Sequence, residues 1–146
     1  MMERALEAAK WAGLAGEVPV GAVLAGADGA VLAVCGNEVE ARQDPTAHAE
    51  MLALYAARAI RGQKYLADCT LTVTLEPCAL CAAAMAALRV QRVVFGAYDP
   101  KGGAVEHGPR LFSQPTVHHR PEVVGGVREA ECAALLKGFF EDKRGA

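Results

Sequence analysis

The sequence predicts an α/β fold in which helices cover both faces of a mixed β-sheet. Helical and strand-like patterns alternate along the 146 residues in the order αββαβαβ(β)α. Asp28-Gly29 separates two apolar runs as a hairpin turn, so these two strands are expected to be antiparallel. A strand, a short helix and a second strand over residues 70–96 predict a parallel pair joined by a right-handed crossover. A sheet that holds both kinds of pair is mixed.

The N-terminal half predicts a helix, a hairpin and a second helix. Charged and apolar side chains fall on different sides of residues 1–15, which is the pattern of an amphipathic helix. The runs Val18–Ala25 and Ala30–Cys35 are apolar on both faces, so the hairpin is expected in the interior of the sheet. Asp44–Ile60 is predicted as the second helix, with Asp44 as its cap and a proline in its first turn.

The C-terminal half continues with strands and helices around one irregular stretch, Ala97–Pro121. Alternating threonine and apolar residues predict a strand at Thr70–Leu75. The remaining elements are a helix at Cys78–Leu88, strands at Val90–Gly96 and Glu122–Val124, and a final helix at Val127–Lys143. No internal repeat or linker stands out, so residues 1–146 are expected to form one domain.

Composition indicates a globular protein of the cytoplasm. Hydrophobic residues make up 53% of the chain, which excludes a disordered protein. The longest apolar stretch, Val18–Gly36, is interrupted by a turn and predicts no membrane span. The first residues lack the apolar core of a secretory signal, and five cysteines are an odd count. Both features fit a reducing compartment better than a disulfide framework.

Cys78 and Cys81 stand in the stretch TLEPCALC, where a strand ends and a helix begins. Their spacing allows both sulfurs to point off the N-terminus of the helix, whose partial positive charge favours thiolates. Such a pair could be a redox dithiol, part of a metal site or two core thiols. Cys35, Cys69 and Cys132 are interpreted as small buried hydrophobic residues, so they do not complete a four-cysteine zinc site.

His48 and Glu50, in DPTAHAE, offer the missing half of a metal site at the start of the preceding helix. Three ligands, His48 with Cys78 and Cys81, would leave the fourth tetrahedral position open, which is the catalytic arrangement of zinc. Residues two apart in a helix do not face the same way, so His48 must lie at the first turn and point off its end. Glu50 could then act as general acid and base.

Two rival classes share parts of this pattern. A thioredoxin-like dithiol would have no use for the His48-Ala49-Glu50 segment. A non-catalytic zinc-binding module would need a fourth protein ligand and no carboxylate beside an open position. The pattern H-x-E, about thirty residues, then P-C-x-x-C therefore favours a zinc hydrolase, and it resembles the signature of zinc-dependent nucleobase deaminases.

The blocks around this signature are similar to one family in particular, the bacterial tRNA-specific adenosine deaminases of the cytidine deaminase-like superfamily. The similar blocks are EVPVGAVL, GNE, DPTAHAE, TLEPCALC, RVVFGAYDPKGGA and ECAALLKGFF. The resemblance implies a three-layer α/β/α cytidine deaminase-like fold with a five-stranded sheet, a homodimer, and deamination of the wobble adenosine of a tRNA anticodon to inosine, in an arginine tRNA. It also implies one Zn²⁺ per chain on His48, Cys78 and Cys81, with Glu50 as the proton shuttle. The alternative is a deaminase of a free base or nucleoside such as guanine or cytosine.

The same resemblance suggests residues that bind the substrate. Asn37 would hydrogen-bond the flipped base and Asp99 would lie near the target nucleotide, although each also suits a turn. Of the adjacent Phe139 and Phe140, at least one is expected in the core, and Phe140 is the candidate for an aromatic contact to RNA.

Charge is distributed unevenly along the chain. The net charge is −2, which is unusual for a nucleic-acid-binding protein. Residues 89–120, however, carry five basic and two acidic side chains, a net charge of +3. Lys101, His119 and Arg120 in this segment are predicted to contact the RNA. The C-terminal residues EDKRGA carry two acidic and two basic side chains, so they add no net charge.

Overall fold

The computed structural model describes residues 1–145 and has one five-stranded sheet between two layers of helices. The strands are β1 (Gly21–Ala25), β2 (Val31–Gly36), β3 (Thr70–Leu75), β4 (Arg92–Ala97) and β5 (Glu122–Val124). The helices are α1 (Met2–Leu14), α2 (Val39–Arg42), α3 (Ala49–Arg61), α4 (Ala79–Ala87) and α5 (Glu129–Gly145), with a 3₁₀ turn at Leu111–Ser113. No helix within residues 1–145 combines the length and apolarity needed to cross a membrane.

The strand order is β2-β1-β3-β4-β5, and the sheet is mixed, which confirms the predicted fold class. β1 runs antiparallel to both β2 and β3, whereas β3, β4 and β5 are parallel. The parallel pairing of β3 and β4 around α4 follows the predicted crossover. Because parallel strands end at the same edge of a sheet, the residues that follow β3 and β4 lie close together.

Side chains alternate between two cores along β1. Ala22 and Leu24 pack in the larger core with α3 and α4, while Val23 packs in the smaller core with α1 and α5. Gly21 lets α1 cross the start of this strand, because a Cβ there would collide with the backbone carbonyl of Ala5. The close crossing fixes the loop after α1 at one end of the sheet.

The structure corrects the hairpin prediction in one respect. β1 is an interior strand, but β2 is an edge strand with partly exposed side chains. The apolar residues on both faces of β2 predict an interior strand. Their reason is instead that α1 and α3 cover the two faces of this edge strand.

The second predicted helix begins later than expected. The Asp44 carboxylate accepts hydrogen bonds from the backbone N–H and the hydroxyl of Thr46, at 2.8 and 2.7 Å, and so forms a turn before the helix. The backbone at His48 is extended, and α3 starts at Ala49. Asp44 therefore caps a turn, and His48 becomes the N-cap residue of α3. The short helix α2 and the 3₁₀ turn were not predicted, because four and three residues are too few to show a period.

Candidate metal centre and substrate cavity

Two helix N-termini converge at the end of the sheet where β3 finishes. His48 is the N-cap residue of α3 and Cys78 is the N-cap residue of α4, and both have extended backbone. Cys81 lies in the first turn of α4 and is completely buried. The potential ligand atoms of these three residues all lie within 4.8 Å of one another. The structure thus brings His48 together with two cysteines that follow it about thirty residues later in the sequence.

The separations match the edges of a zinc tetrahedron. The Nδ1 atom of His48 lies 3.3 Å from the sulfur of Cys81 and 3.5 Å from the sulfur of Cys78. Zinc bonds of about 2.0–2.1 Å to nitrogen and 2.3 Å to sulfur, at tetrahedral angles, place these atoms about 3.6 Å apart. One imidazole and two thiols are also the donor set that zinc prefers. The cluster therefore fits a zinc ion held by three protein ligands.

The two thiols shift each other's pKa in opposite directions. The Cys81 thiol donates to the Cys78 sulfur, which lowers the pKa of Cys78 to about 5, and the same contact together with burial raises the pKa of Cys81. The first thiolate of the pair is therefore present at neutral pH. A cation at this point would displace the remaining proton.

Glu50 lies in the first turn of α3 and is only 5% exposed. Burial of the carboxyl disfavours its charged form and raises the pKa of Glu50 to about 7. It lines the same cavity as His48 and Cys78. A carboxyl group with this pKa can both accept and donate a proton near neutral pH.

The cavity in front of the three ligands has a volume of about 310 Å³. Its walls come from the loop after α1, the ends of β2 and β3, the loop after β4, and α5. Besides His48, Glu50 and Cys78, its polar and aromatic lining residues are Glu17, Asn37, Glu40, Glu76, Asp99, Phe139 and Lys143. The opening is thus surrounded by groups that can recognise a polar aromatic ring.

Asn37 is held in place from both sides. Its Oδ1 accepts a hydrogen bond of 2.8 Å from the N–H of Ala49, and its own N–H donates to the carbonyl of Val20 at 3.1 Å. The side-chain amide keeps its two N–H donors for other partners. Because Ala49 adjoins His48, the contact also links Asn37 to the start of α3.

Glu76 is a buried residue whose role was not foreseen from the sequence. Its Oε2 accepts hydrogen bonds from the backbone N–H groups of Val105, Glu106 and His107, at 3.2, 2.9 and 3.2 Å. Its Oε1 contacts the N–H of Asp99 at 3.0 Å and the imidazole of His107 at 2.8 Å. Burial raises the pKa of Glu76, but the hydrogen bonds outweigh it and lower the pKa below its ordinary value. The carboxylate fixes the loop that carries Asp99.

Glu17 plays a similar part on the other side of the cavity. It is 3% exposed, and its two oxygens accept from the N–H groups of Glu40 and Ala41, each at 2.9 Å. These N–H groups belong to the first turn of α2, so Glu17 caps that helix from a distance. The sequence offered one weak signal for each carboxylate, a single acidic residue next to an apolar strand. Glu17 precedes the strand in EVPVGAVL, and Glu76 follows the strand in TLEPC.

The other predicted substrate-binding residues are placed less centrally. Within the described part of the chain, Lys101, His119, Arg120 and Phe140 are absent from the cavity wall. Lys101 is exposed in the turn that follows Asp99. The imidazole of His119 contacts the carbonyl of Val90, and the Arg120 guanidinium donates to the carbonyl of Phe112, both before the start of the parallel strand β5. This is the end of the sheet opposite the ligands.

Phe139, rather than Phe140, faces the cavity. Phe140 is 43% exposed and packs edge-to-face on Phe139, with ring centroids 5.4 Å apart. The amino group of Lys143 lies 5.1 Å above the ring of Phe139. Helical periodicity placed both phenylalanines on one face, but it could not show that α5 turns only Phe139 towards the opening.

Comparison with known proteins agrees with this site. Residues 1–97 match the family model of the cytidine and deoxycytidylate deaminase zinc-binding region. A tRNA-specific adenosine deaminase of Agrobacterium fabrum is 51% identical over 98% of this chain and 93% of its own length.

Two solved structures show the same fold. One, from work on A-to-I editing by tRNA:A34 deaminases at the wobble position of transfer RNA, has 51% identity and a TM-score of 0.90, and covers 92% of this chain and 97% of that chain. A guanine deaminase of Bacillus subtilis has 37% identity and a TM-score of 0.63, and covers 66% of this chain and 62% of that chain. Zinc is accordingly the cofactor of this enzyme. The chain belongs to the cytidine and deoxycytidylate deaminase zinc-binding family and, within it, to the tRNA-specific adenosine deaminases.

Proposed function

We propose that this enzyme deaminates adenosine to inosine at the wobble position of a tRNA anticodon, in an arginine tRNA. The observation that carries the proposal is the convergence of His48, Cys78 and Cys81 in front of a cavity that also contains the buried Glu50. The similarity to tRNA-specific adenosine deaminases supports the choice of an RNA substrate. Residues 1–146 would act as one domain in the cytoplasm, where tRNA is found, with one zinc ion per chain and no membrane partner.

The reaction replaces the exocyclic amine of adenine by oxygen. We propose that His48, Cys78 and Cys81 hold the zinc ion, which when bound would lower the pKa of a water molecule towards about 7. Glu50 would accept a proton from that water at its carboxylate and pass it to the ring nitrogen beside the reacting carbon. The C–O bond forms, the C–N bond breaks, and Glu50 helps to protonate the amine that leaves as ammonia. One water is consumed for each ammonia released.

Asn37 and Asp99 would orient the flipped nucleotide. The free N–H donors of the Asn37 amide can bond to acceptors on the base edge, and the Ala49 contact prevents the amide from turning away. Asp99 lines the cavity, and its Oδ1 accepts from the N–H groups of Lys101 and Gly102 at 3.2 and 3.0 Å. The orientations of both side chains are therefore fixed by hydrogen bonds before the substrate enters.

Contacts to the rest of the RNA would come from the surrounding surface. Lys101, beside Asp99, suits a phosphate near the target nucleotide. Phe140 offers an exposed ring next to the opening, for a base outside the cavity. His119 and Arg120 lie at the far end of the sheet, so we assign them to RNA beyond the target nucleotide.

An apolar surface on α3 and α4 supports a homodimer. No charged side chain occurs in α4, although part of this helix is exposed. Leu80, Ala83 and Ala87 are exposed on α4, and Tyr55 is 56% exposed on the neighbouring α3. A patch of this kind on a small protein marks an interface. Ala83→Glu should therefore convert dimers to monomers in light scattering, and a wild-type protein that is monomeric at micromolar concentration would contradict the dimer.

The test of the function is a deamination assay that measures inosine in an arginine tRNA anticodon stem-loop and, in separate reactions, ammonia released from free adenosine, cytidine and guanine. We expect conversion of the stem-loop and little conversion of the free compounds. A stem-loop with guanosine at the wobble position is the matched control. Turnover of guanine or cytidine alone would instead make the protein a deaminase of a free base or nucleoside, in keeping with its likeness to the guanine deaminase fold.

A further inference from the structure

Trp11 is the only tryptophan of the chain, and it lies on the outside of α1. Its side chain is 67% exposed, whereas large aromatic residues are usually well buried. It forms one wall of a groove of about 490 Å³ between α1, the edge strand β2 and α2. The groove is also lined by small residues, Ala8, Ala12 and Gly36 among them. An exposed indole beside small side chains leaves room for a planar ring.

The groove lies next to the substrate cavity. Glu17 and Asn37 line both spaces, so the two openings adjoin at the residues that orient α2 and the substrate base. A nucleotide that enters the cavity is covalently bound to its neighbours. One neighbour must therefore leave the cavity mouth across an adjoining surface.

Resting on the proposed function, we propose that this groove is a subsite for a nucleobase next to the target adenosine, which stacks on the indole of Trp11. Stacking of a base on an aromatic side chain is worth about 1–3 kcal/mol and tolerates any base, because every base presents a π-face. The subsite thus adds affinity for an RNA substrate without restricting the sequence of the anticodon. It also favours a polynucleotide over a free nucleoside.

The charges of the groove are compatible with this ligand. Arg4 stands two helical turns before Trp11 on the same side of α1 and can meet a phosphate. The Glu38 carboxylate is paired with Arg42 at 3.2 Å, and the Glu17 oxygens are bound to two N–H groups of α2. Glu7 is the remaining acidic residue of the groove wall, and it can accept from an exocyclic amine. An apolar peptide would leave these charges without partners.

Because the chain has a single tryptophan, its fluorescence reports directly on the groove. We expect a stem-loop to quench the emission of the zinc-loaded protein saturably, with a midpoint equal to its binding constant. We also expect Trp11→Ala to raise KM for the stem-loop about tenfold while kcat and the activity on any free nucleoside stay within about twofold. Trp11→Phe should restore most of the affinity. Ile60→Ala, which removes an exposed apolar side chain near the end of α3, should change neither constant.

The outcomes separate this proposal from the proposed function. If the wild-type protein deaminates the stem-loop but its fluorescence is not quenched, or if Trp11→Ala has the wild-type KM, the subsite is wrong and the function stands. If the fluorescence changes with protein concentration in the absence of RNA, the groove is an interface between copies and the subsite is again wrong. A wild-type protein that fails to deaminate the stem-loop but converts a free base overturns both.

Discussion

Replacement of Glu76 by glutamine tests whether the loop that carries Asp99 is held by a single buried carboxylate. Glutamine has nearly the same shape, but it puts an NH₂ group where one oxygen was. If this group replaces Oε2, three backbone N–H donors lose their acceptor. If it replaces Oε1, the N–H of Asp99 loses its acceptor, while the imidazole of His107 can change tautomer and accept. The second arrangement is the less costly one.

The expected magnitude follows from that count. One buried N–H without a partner costs about 1–3 kcal/mol, and the loss of a charge-assisted acceptor adds to it. The conformation in which residue 76 holds the loop of residues 99–107 should therefore be populated about tenfold less, or lower still, than in the wild-type protein. Because Asp99, and not Glu76, is assigned to the nucleotide in the proposed function, we expect Glu76→Gln to raise KM for the stem-loop by about this factor and to change kcat less.

The assay combines steady-state kinetics, zinc content and hydrogen exchange. Amides 99 and 105–107 should exchange faster in Glu76→Gln, and zinc should stay at the wild-type level. Glu17→Gln removes an equally buried carboxylate and is the matched control, but it should expose amides 40 and 41 instead. Gly103→Ala attacks the same contact from the loop, since its Cβ would lie 2.5 Å from the Glu76 carboxylate, and its effect should not add to that of Glu76→Gln.

Two results would refute this reasoning. Unchanged KM and unchanged exchange at amides 105–107 would show that the loop does not depend on the carboxylate. Loss of zinc from Glu76→Gln would show that the residue supports the metal ligands through its neighbour Pro77 and Cys78, and not the loop.

The remaining predictions concern the metal, the proton shuttle and one ion pair. Cys81→Ser should lower the zinc content from about one per chain to near zero, by elemental analysis, and fully active protein without zinc would contradict the mechanism. Glu50→Gln should keep the zinc and the circular dichroism spectrum but lower kcat by about 10²- to 10⁴-fold or more, and retained turnover would remove Glu50 from its role. The Arg61 guanidinium lowers the pKa of Asp68 to about 2, so this pair stabilises the fold above the ordinary pKa of about 4, and the stabilisation is lost as the pH falls towards 2. Asp68→Asn should accordingly lower Tm by about 2–4 °C at most at pH 7, since the carboxylate is partly exposed, and should have a much smaller effect at pH 2. An equal loss of Tm at both pH values would mean that the ion pair is not the cause.

The sequence alone determined the elements and the chemistry of the ligands. Alternating threonines predicted β3, and the strand-helix-strand order predicted its parallel pairing with β4, because both signals are local and depend on residue type. His48, Cys78 and Cys81 were selected by residue type and spacing, since few side chains can bind zinc and each must start a helix to point at a common centre. The tertiary structure brings their donor atoms together, within 4.8 Å.

Only the tertiary structure decided which groups surround that centre. Glu76 and Glu17 bind backbone N–H groups between 23 and 31 residues away, and a backbone N–H has no signature in the sequence because every residue except proline has one. The choice between Phe139 and Phe140 depended on how α5 is rotated about its axis against the sheet. A period of 3.6 residues does not fix that rotation closely enough to distinguish two adjacent residues. The exposed position of Trp11 beside Asn37 likewise depends on where α1 crosses the edge strand. Residue type and spacing fix which chemistry is possible, whereas the packing of distant segments decides what the substrate meets.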